Sequence, residues 1–182
     1  NIMRKILLLT VCCALVCSLS GCIVFRRGSS NEYRSDEELA DEMIENIIDC
    51  AEKEDVKALT ELFSQYAKDS TLNLTEQAED FIEFFQGQCK SWKGNASSHE
   101  KSEHGKTIWR ELRGQYSVIT DEAQYKIAYI YIPFHREEPD KAGLTAIEIT
   151  TEETFNKDWF LWSLDQKPGI YVTEDKEERF SE

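Results

Sequence analysis

The chain has 182 residues, 41% of them hydrophobic, which is enough for one domain with a substantial core and short for two. Its 35 acidic and 21 basic residues give a formal net charge of −14. This charge excludes nucleic-acid binding, because a phosphate backbone requires a basic surface. With only 8 glycines, 3 prolines and no dominant repeat, collagen-like and low-complexity classes are excluded as well. The composition therefore predicts a globular acidic domain.

The N-terminal segment predicts export from the cytoplasm. A basic start, Met3–Lys5, precedes the uncharged stretch Ile6–Leu19, which is shorter than the roughly 20 residues that span a bilayer and is typical of a signal peptide. The motif Leu19–Cys22 follows and resembles the lipobox of bacterial lipoproteins. The resemblance implies that residues 1–21 are removed and that Cys22 carries a lipid anchor on the extracytoplasmic face of the cell membrane. An ordinary secretory signal with an incidental cysteine is the alternative.

The remaining chain divides into three parts. Residues 22–34 contain the flexible stretch Gly28–Asn31 and are expected to form a tether. Residues 35–175 are expected to form a single domain. Residues 176–182 are mostly charged and form the predicted tail.

Helical periodicity dominates the first part of the predicted domain. Ser35 and Glu38 form a capping box, and apolar residues at helical spacing continue this first helix to about Lys53. A second helix is predicted from Asp55 to Tyr66. A third is predicted from a Thr75 cap to a stop near Gly87, because glycine is common just past helix ends.

The periodicity then changes to the two-residue repeat of strands. The predicted strands cover residues 89–92, 107–120, 123–134, 144–151, 159–164 and 169–172, and the polar stretch 94–106 is predicted to be a loop. Helices followed by strands predict an α+β fold. We expect three N-terminal helices packed in the concave face of a curved, mainly antiparallel sheet, which gives a cone-like shape.

Several segments resemble known families. The linker Lys53–Leu59 resembles the start of nuclear-transport-factor-2-like (cystatin-like) domains. The segments Leu59–Ala67, Phe81–Gly87 and Ser91–Gly94 resemble an uncharacterised lipoprotein family of Gram-positive bacteria, the domain of unknown function 5104. These resemblances imply the cone fold and the extracytoplasmic location. They imply no catalytic residue, because the family has no established activity.

No motif for catalysis, a cofactor or a metal emerges from the sequence. His99 and His104 are five residues apart, which does not place them on one helical face as a zinc-protease motif requires. Glu148 lies in an apolar strand and has two interpretations, a pocket carboxylate or, as favoured here, a residue on a solvated face. We therefore predict no catalytic set, no metal site and no cofactor.

The aromatic residues of the strands allow two interpretations. In the first, Trp109, Arg110, Tyr116 and Trp162 line a ligand pocket at the open end of the cone, with the arginine fixing an anionic ligand. In the second, which is favoured, aromatic residues form core and interface. Tyr125, Tyr129 and Tyr131 would then form an outer patch for a protein partner or a homodimer.

Cys50 and Cys89 are the only cysteines expected in the folded part. A disulfide between them is possible in an extracytoplasmic domain, and two free thiols are the favoured alternative. The sequence as a whole suggests a membrane-anchored lipoprotein that binds a small ligand or a protein. The alternative is a cone-fold enzyme of the isomerase or dehydratase type, with a pocket carboxylate or tyrosine as the acid-base group.

Overall fold

A computed structural model describes residues 34–158 and 167–173 of the chain. The predicted signal peptide, the lipidation site Cys22, the 159–164 strand with Trp162 and the charged tail lie outside the described residues. Nearly all of the predicted tether lies outside them too.

Among the described residues, four helices precede the sheet. They are α1 (Asp36–Glu52), α2 (Val56–Glu61), α3 (Gln65–Ser70) and α4 (Leu74–Phe84). The predicted capping box of α1 is confirmed, since the Ser35 hydroxyl accepts from the Glu38 amide and the Glu38 carboxylate accepts from the Ser35 amide. The predicted Thr75 cap is wrong by two residues, because α4 begins after Asn73, which has a left-handed backbone.

Within residues 34–158 and 167–173, five strands form one open sheet in the order in which they occur in the chain. They are β1 (Cys89–Glu103), β2 (Lys106–Thr120), β3 (Gln124–His135), β4 (Gly143–Thr151) and β5 (Gly169–Thr173). Neighbouring strands are antiparallel except β4 and β5, which are parallel. A short 3₁₀ helix (Pro139–Lys141) precedes β4, and α5 (Glu152–Asp158) follows it. The α+β class with a mainly antiparallel sheet is confirmed.

The predicted loop at 94–106 is wrong, because β1 and β2 form one long hairpin through this region. The turn residues His104 and Gly105 have φ angles of 50° and 75°. Two consecutive positive φ angles are typical of the type I′ turn that joins strands tightly. The strand was hidden in the sequence because the second half of β1 is exposed to solvent on both faces and therefore has no apolar alternation.

The second predicted helix is also wrong in its middle. Between α2 and α3 the chain extends beside β4: the Ser64 amide donates to the Leu144 carbonyl at 2.9 Å, and the Leu144 amide donates to the Leu62 carbonyl at 2.9 Å. The approach is close at Gly143, where a Cβ atom would lie 2.6 Å from the Ser64 nitrogen. These tertiary hydrogen bonds replace those that the helix would have made. Phe63 lies between the two bonded residues, and its side chain is completely buried.

Helix α1 covers one face of the sheet, called here the inner face, and the opposite face is the outer face. The expectation that Tyr125, Tyr129 and Tyr131 form an outer patch is wrong, because they are buried on the inner face with exposures of 2%, 3% and 4%. The predicted alternation of these residues along β3 is confirmed, but the tyrosines lie on the opposite face from the one predicted. Two of the hydroxyls have main-chain partners inside the protein: that of Tyr129 donates to the Ala40 carbonyl, and that of Tyr125 donates to the Phe84 carbonyl. A satisfied hydroxyl removes most of the cost of burying a tyrosine.

Candidate functional site

The structure does not bring the predicted pocket residues together. Trp109 is paired with His135 and stacks on its ring at 6.3 Å between centroids. Tyr116 is paired with Ile127, seven residues further along β2, which corresponds to about 23 Å of strand. Trp162 lies outside the described residues. A single pocket lined by Trp109 and Tyr116 is therefore not formed.

Arg110 is engaged in structural contacts. Its guanidinium lies 3.0 Å from the Asp36 carboxylate and 3.6 Å from the Glu100 carboxylate. It also lies 5.8 Å from the centroid of the Phe134 ring. The expectation that Arg110 fixes an anionic ligand is not supported by this arrangement, because two carboxylates already compensate its charge. Arg110 instead attaches the first turn of α1 to the sheet.

Tyr116 is the centre of a hydrogen-bonded aromatic cluster on the inner face. Its hydroxyl donates to the Asp41 carboxylate at 2.9 Å. Its ring stacks on Tyr129 at 5.9 Å and meets the edge of Trp92 at 5.6 Å between centroids. Burial raises the pKa of Tyr116 well above its ordinary value, and the hydrogen bond to Asp41 raises it further. Tyr116 therefore stays protonated at neutral pH and acts as a hydrogen-bond donor.

Gly114 makes room for this cluster. A Cβ atom at this position would lie 2.3 Å from Cζ of Tyr129, so the tyrosine ring occupies the space that any other residue would need. Burial also raises the pKa of Tyr129, with the neighbouring Tyr116 as the next cause. A glycine inside a strand is the sequence signal for such a close approach.

The outer face has a cavity of about 450 Å³ between the first three strands and α5. We call it the outer-face groove and define it by its side chains Lys93, Asn95, Gln115, Ser117, Lys126 and Phe155. The strand register explains how these residues meet: Lys93 is opposite Ser117, Ser117 is opposite Lys126, and Asn95 is opposite Gln115. Neighbouring strands thus place their polar side chains in two adjacent rows.

One side of the groove is fixed by Lys126. Its ammonium donates to the Ser117 hydroxyl at 2.7 Å and lies 2.8 Å from the Glu152 carboxylate. It also lies 5.3 Å from the centroid of the Phe155 ring. These contacts fasten α5 to the sheet, and the Glu152 carboxylate compensates the charge of Lys126.

The other side of the groove is not engaged. Within the described ranges, no hydrogen bond or ion pair involves the side chain of Lys93, Asn95 or Gln115. This site cannot be recognised from the sequence for two reasons. The polar composition of residues 94–106 predicts a loop, and no periodicity indicates the helix that supplies Phe155. The alternation of Lys93 and Asn95 on one face of a strand becomes visible only once β1 is known to continue.

A second cavity, of about 480 Å³, lies where α1 and α4 end. The carboxylates of Glu52, Glu54, Glu79 and Glu83 surround it, and Val56, Ile82 and Phe85 supply apolar lining. The Glu52 carboxylate also accepts a hydrogen bond from the Cys89 amide. This cavity is acidic, as is the protein as a whole.

Glu148 is not solvated, contrary to the favoured expectation. It lies on the outer face, opposite Ala128 and Tyr171, and is only 2% exposed. Successive residues of β4 are buried over most of its length, so this strand is covered on its outer face as well as on its inner face.

Cys50 and Cys89 are free thiols, Cys50 buried and Cys89 partly so. Burial raises the pKa of Cys50 to about 12, with the charges of Asp49 and Asp55 as further causes. Burial likewise raises the pKa of Cys89. Neither thiol is therefore activated as a nucleophile, because activation requires a lowered pKa.

In the part of the chain that the structure describes, no group of three or more His, Cys, Asp or Glu side chains is placed to hold a metal ion. His99 lies on the exposed half of β1, and His104 is in the hairpin turn. Residues 34–158 and 167–173 also contain no helix long and apolar enough to cross a membrane.

Comparison with known proteins identifies the family. The family model described as Domain of unknown function (DUF5104) matches residues 46–152. The chain belongs to the DUF5104 family. No curated protein matches it. The DUF5104 match runs from the middle of α1 to the start of α5 and includes all the groove residues except Phe155. The predicted lipid anchor and the likeness to nuclear-transport-factor-2-like domains stay predictions.

Proposed function

We propose that this DUF5104 protein is an extracytoplasmic lipoprotein, anchored to the membrane through Cys22, whose folded domain binds a small ligand or a protein. The order of basic start, uncharged stretch and lipobox supports the anchor. The observation that carries the binding function is the contrast between a filled inner face and an outer-face groove with unengaged polar groups.

The inner face argues against an enzyme of the cone-fold type. Such an enzyme needs an acid-base group that a substrate can reach. Here α1 lies over the sheet. The Tyr116 hydroxyl donates to the Asp41 carboxylate, and the Tyr129 hydroxyl donates to the Ala40 carbonyl. Both tyrosines are only 3% exposed, so a substrate cannot reach their hydroxyls. These hydroxyls instead attach α1 to the sheet.

The outer-face groove has the features of a binding site. Ligand sites are usually concave and combine apolar walls with a few convergent polar groups. The Phe155 ring supplies an apolar wall, and Lys93, Asn95 and Gln115 supply unengaged polar groups. The groove is built on three strands, whose register fixes the backbone positions from which these side chains project.

The alternative function, an isomerase or dehydratase, has one observation in its favour. Asp41 is half-buried at the edge of the inner face and is joined to Tyr116 by a 2.9 Å hydrogen bond. A carboxylate and a tyrosine in contact are a plausible acid-base pair. For this pair to work, α1 would have to move away from the sheet so that a substrate could reach the hydroxyl.

A metabolite screen distinguishes the two functions. The full chain in detergent is incubated with metabolite pools, ligands are detected as an increase in melting temperature, and the pools are analysed by mass spectrometry before and after. A binding module raises the melting temperature and leaves the ligand unchanged. Consumption of a metabolite by the wild type but not by Tyr116→Phe would instead establish the enzyme.

The anchor is tested separately by the intact mass of protein from the membrane fraction. We expect loss of residues 1–21 and the added mass of a lipid on Cys22. The Cys22→Ser variant should keep the leader or lose the lipid. An unlipidated wild-type chain in the culture medium would contradict the proposal.

A further inference from the structure

The geometry points to a specific ligand class for the outer-face groove: we propose that it binds a small carboxylate that also carries an amide group, with Lys93 as the residue that binds the carboxylate. This inference rests on the proposed binding function and names the chemistry that the groove selects.

The charge balance of the groove is the first argument. Its two ammonium groups differ, because Lys126 is neutralised by the Glu152 carboxylate at 2.8 Å while no carboxylate within the described residues pairs with Lys93. One positive charge is therefore uncompensated in a protein with a net charge of −14. A ligand with one negative charge completes the balance. Charge-assisted hydrogen bonds are the stronger kind, so this contact contributes specificity as well as affinity.

The spacing of the polar groups is the second argument. Lys93 and Ser117 are directly opposite on neighbouring strands, so their Cβ atoms lie about 5 Å apart. The Ser117 hydroxyl accepts from Lys126, which leaves its own hydrogen free to donate to a carboxylate oxygen. The two side chains therefore start from neighbouring points of the sheet, and the flexible stem of Lys93 lets its ammonium reach a carboxylate that the Ser117 hydroxyl also binds.

The second row of the groove recognises the remainder of the ligand. Asn95 and Gln115 are directly opposite each other, two residues along each strand from the first row, or about 7 Å away. Each carboxamide offers both donors and an acceptor, which matches the N–H and C=O of a ligand amide. The Phe155 ring closes one side of the groove and contributes apolar contact.

The test uses two ligands of nearly equal size and shape, one with a negative charge and one without. N-acetylglycine carries one carboxylate and one amide, and N-acetylglycinamide replaces that carboxylate by a neutral carboxamide. Each is titrated into the ¹⁵N-labelled full chain in detergent micelles, and amide chemical shifts are followed to saturation. We expect saturable shifts at residues 93–95, 115–117 and 126. We also expect about tenfold tighter binding of N-acetylglycine, since a hydrogen bond to a charged group has this magnitude.

The variant Lys93→Gln removes the charge from an exposed side chain that has no hydrogen bond or ion pair with the described residues, so it should leave the fold intact. It is expected to abolish the preference for N-acetylglycine. The matched control is Lys101→Gln, on the same strand and eight residues away, where Lys101 pairs with Glu103 and Glu137. The control should keep the full tenfold preference, and inorganic phosphate should compete more weakly than N-acetylglycine.

The outcomes separate this inference from the proposed function. Equal affinity for the two ligands, or an unchanged preference in Lys93→Gln, overturns the assignment of Lys93 and the carboxylate. If N-acetylglycinamide alone saturates the groove shifts, binding stands and the ligand class is wrong. Tighter binding of phosphate than of N-acetylglycine would show that the groove prefers a phosphate, and the proposed carboxylate class would be wrong. Absence of saturable shifts in the groove with all three probes overturns both the ligand class and the groove as the binding site.

Discussion

The two faces of the sheet use polar side chains in opposite ways. On the inner face, the hydroxyls of Tyr125 and Tyr129 lie among apolar residues and donate to main-chain carbonyls. On the outer face, Lys93, Asn95 and Gln115 line a groove and have no protein partner within the described residues. Buried polar groups cost free energy unless they are hydrogen-bonded. Polar groups that are held in a concave surface and left unengaged are instead available to a ligand.

This comparison assigns stability to the inner face and binding to the outer face. Substitutions on the inner face should therefore change the free energy of unfolding, whereas those in the groove should change ligand affinity with little effect on stability.

Phe63→Ala should have the largest effect. The ring is completely buried between the helices and β4, so its removal should lower the free energy of unfolding by about 3–5 kcal/mol. Ile119→Ala is the control, because Ile119 is 38% exposed and should cost about 1 kcal/mol or less. Denaturant titration measures both. A change near zero for Phe63→Ala would contradict the packing of the 62–64 segment.

Gly114→Ala tests the close contact beneath Tyr129. The added methyl group would lie 2.3 Å from Cζ of the ring, and the resulting overpacking should cost about 1–3 kcal/mol. The neighbouring variant Gln115→Ala changes an exposed residue on the outer face and should stay within about 0.5 kcal/mol of the wild type. If the two variants were equally stable, the inner face would be looser than described.

Alkaline pH should destabilise the fold through Cys50. Burial raises the thiol pKa from 9.0 to about 12, so between these values the unfolded chain loses a proton that the folded chain keeps. The stabilising contribution is thus complete below pH 9 and is lost as the pH rises towards 12. Its slope is at most about 1.4 kcal/mol per pH unit for one group. Cys50→Ala should reduce the slope of stability between pH 9 and 10, and an unchanged slope would show that the thiol is not buried.

Tyr116→Phe removes a single hydrogen bond from the inner face. Because Asp41 is only half-buried and can bind water instead, the expected loss of stability is about 0.5–1.5 kcal/mol. On the outer face, Lys126→Gln breaks the ion pair with Glu152 and should cost about 1 kcal/mol or less. Thermal unfolding of the two variants compares these effects. A larger loss for Lys126→Gln would reverse the division between the faces.

The helices and most strands could be predicted because their sequences follow a period. The capping box of Ser35 and Glu38 defined the start of α1, and the alternation of β3 was read correctly. Alternation alone does not reveal which face is buried, and for this reason the predicted outward direction of Tyr125, Tyr129 and Tyr131 is wrong. Gly114 was the available clue, because a missing side chain in β2 accommodates a large ring from β3.

The remaining errors come from interactions between distant residues. No local signal shows that residues 62–64 are not helical and instead form main-chain hydrogen bonds with Leu144, about 80 residues away. The groove was missed because its first row joins three strands, and the polar half of β1 resembles a loop. The His104-Gly105 turn could have revealed the hairpin, since both residues adopt the left-handed backbone of a tight turn.

Mapping of a bound ligand tests the division between the two faces most directly. A ligand identified in the metabolite screen is titrated into the ¹⁵N-labelled full chain, and the amide shifts are assigned to residues. We expect shifts centred on Lys93, Gln115 and Lys126, with the ligand recovered unchanged. Shifts centred on Asp41 and Trp92, accompanied by conversion of the ligand, would contradict it and place an active site on the inner face.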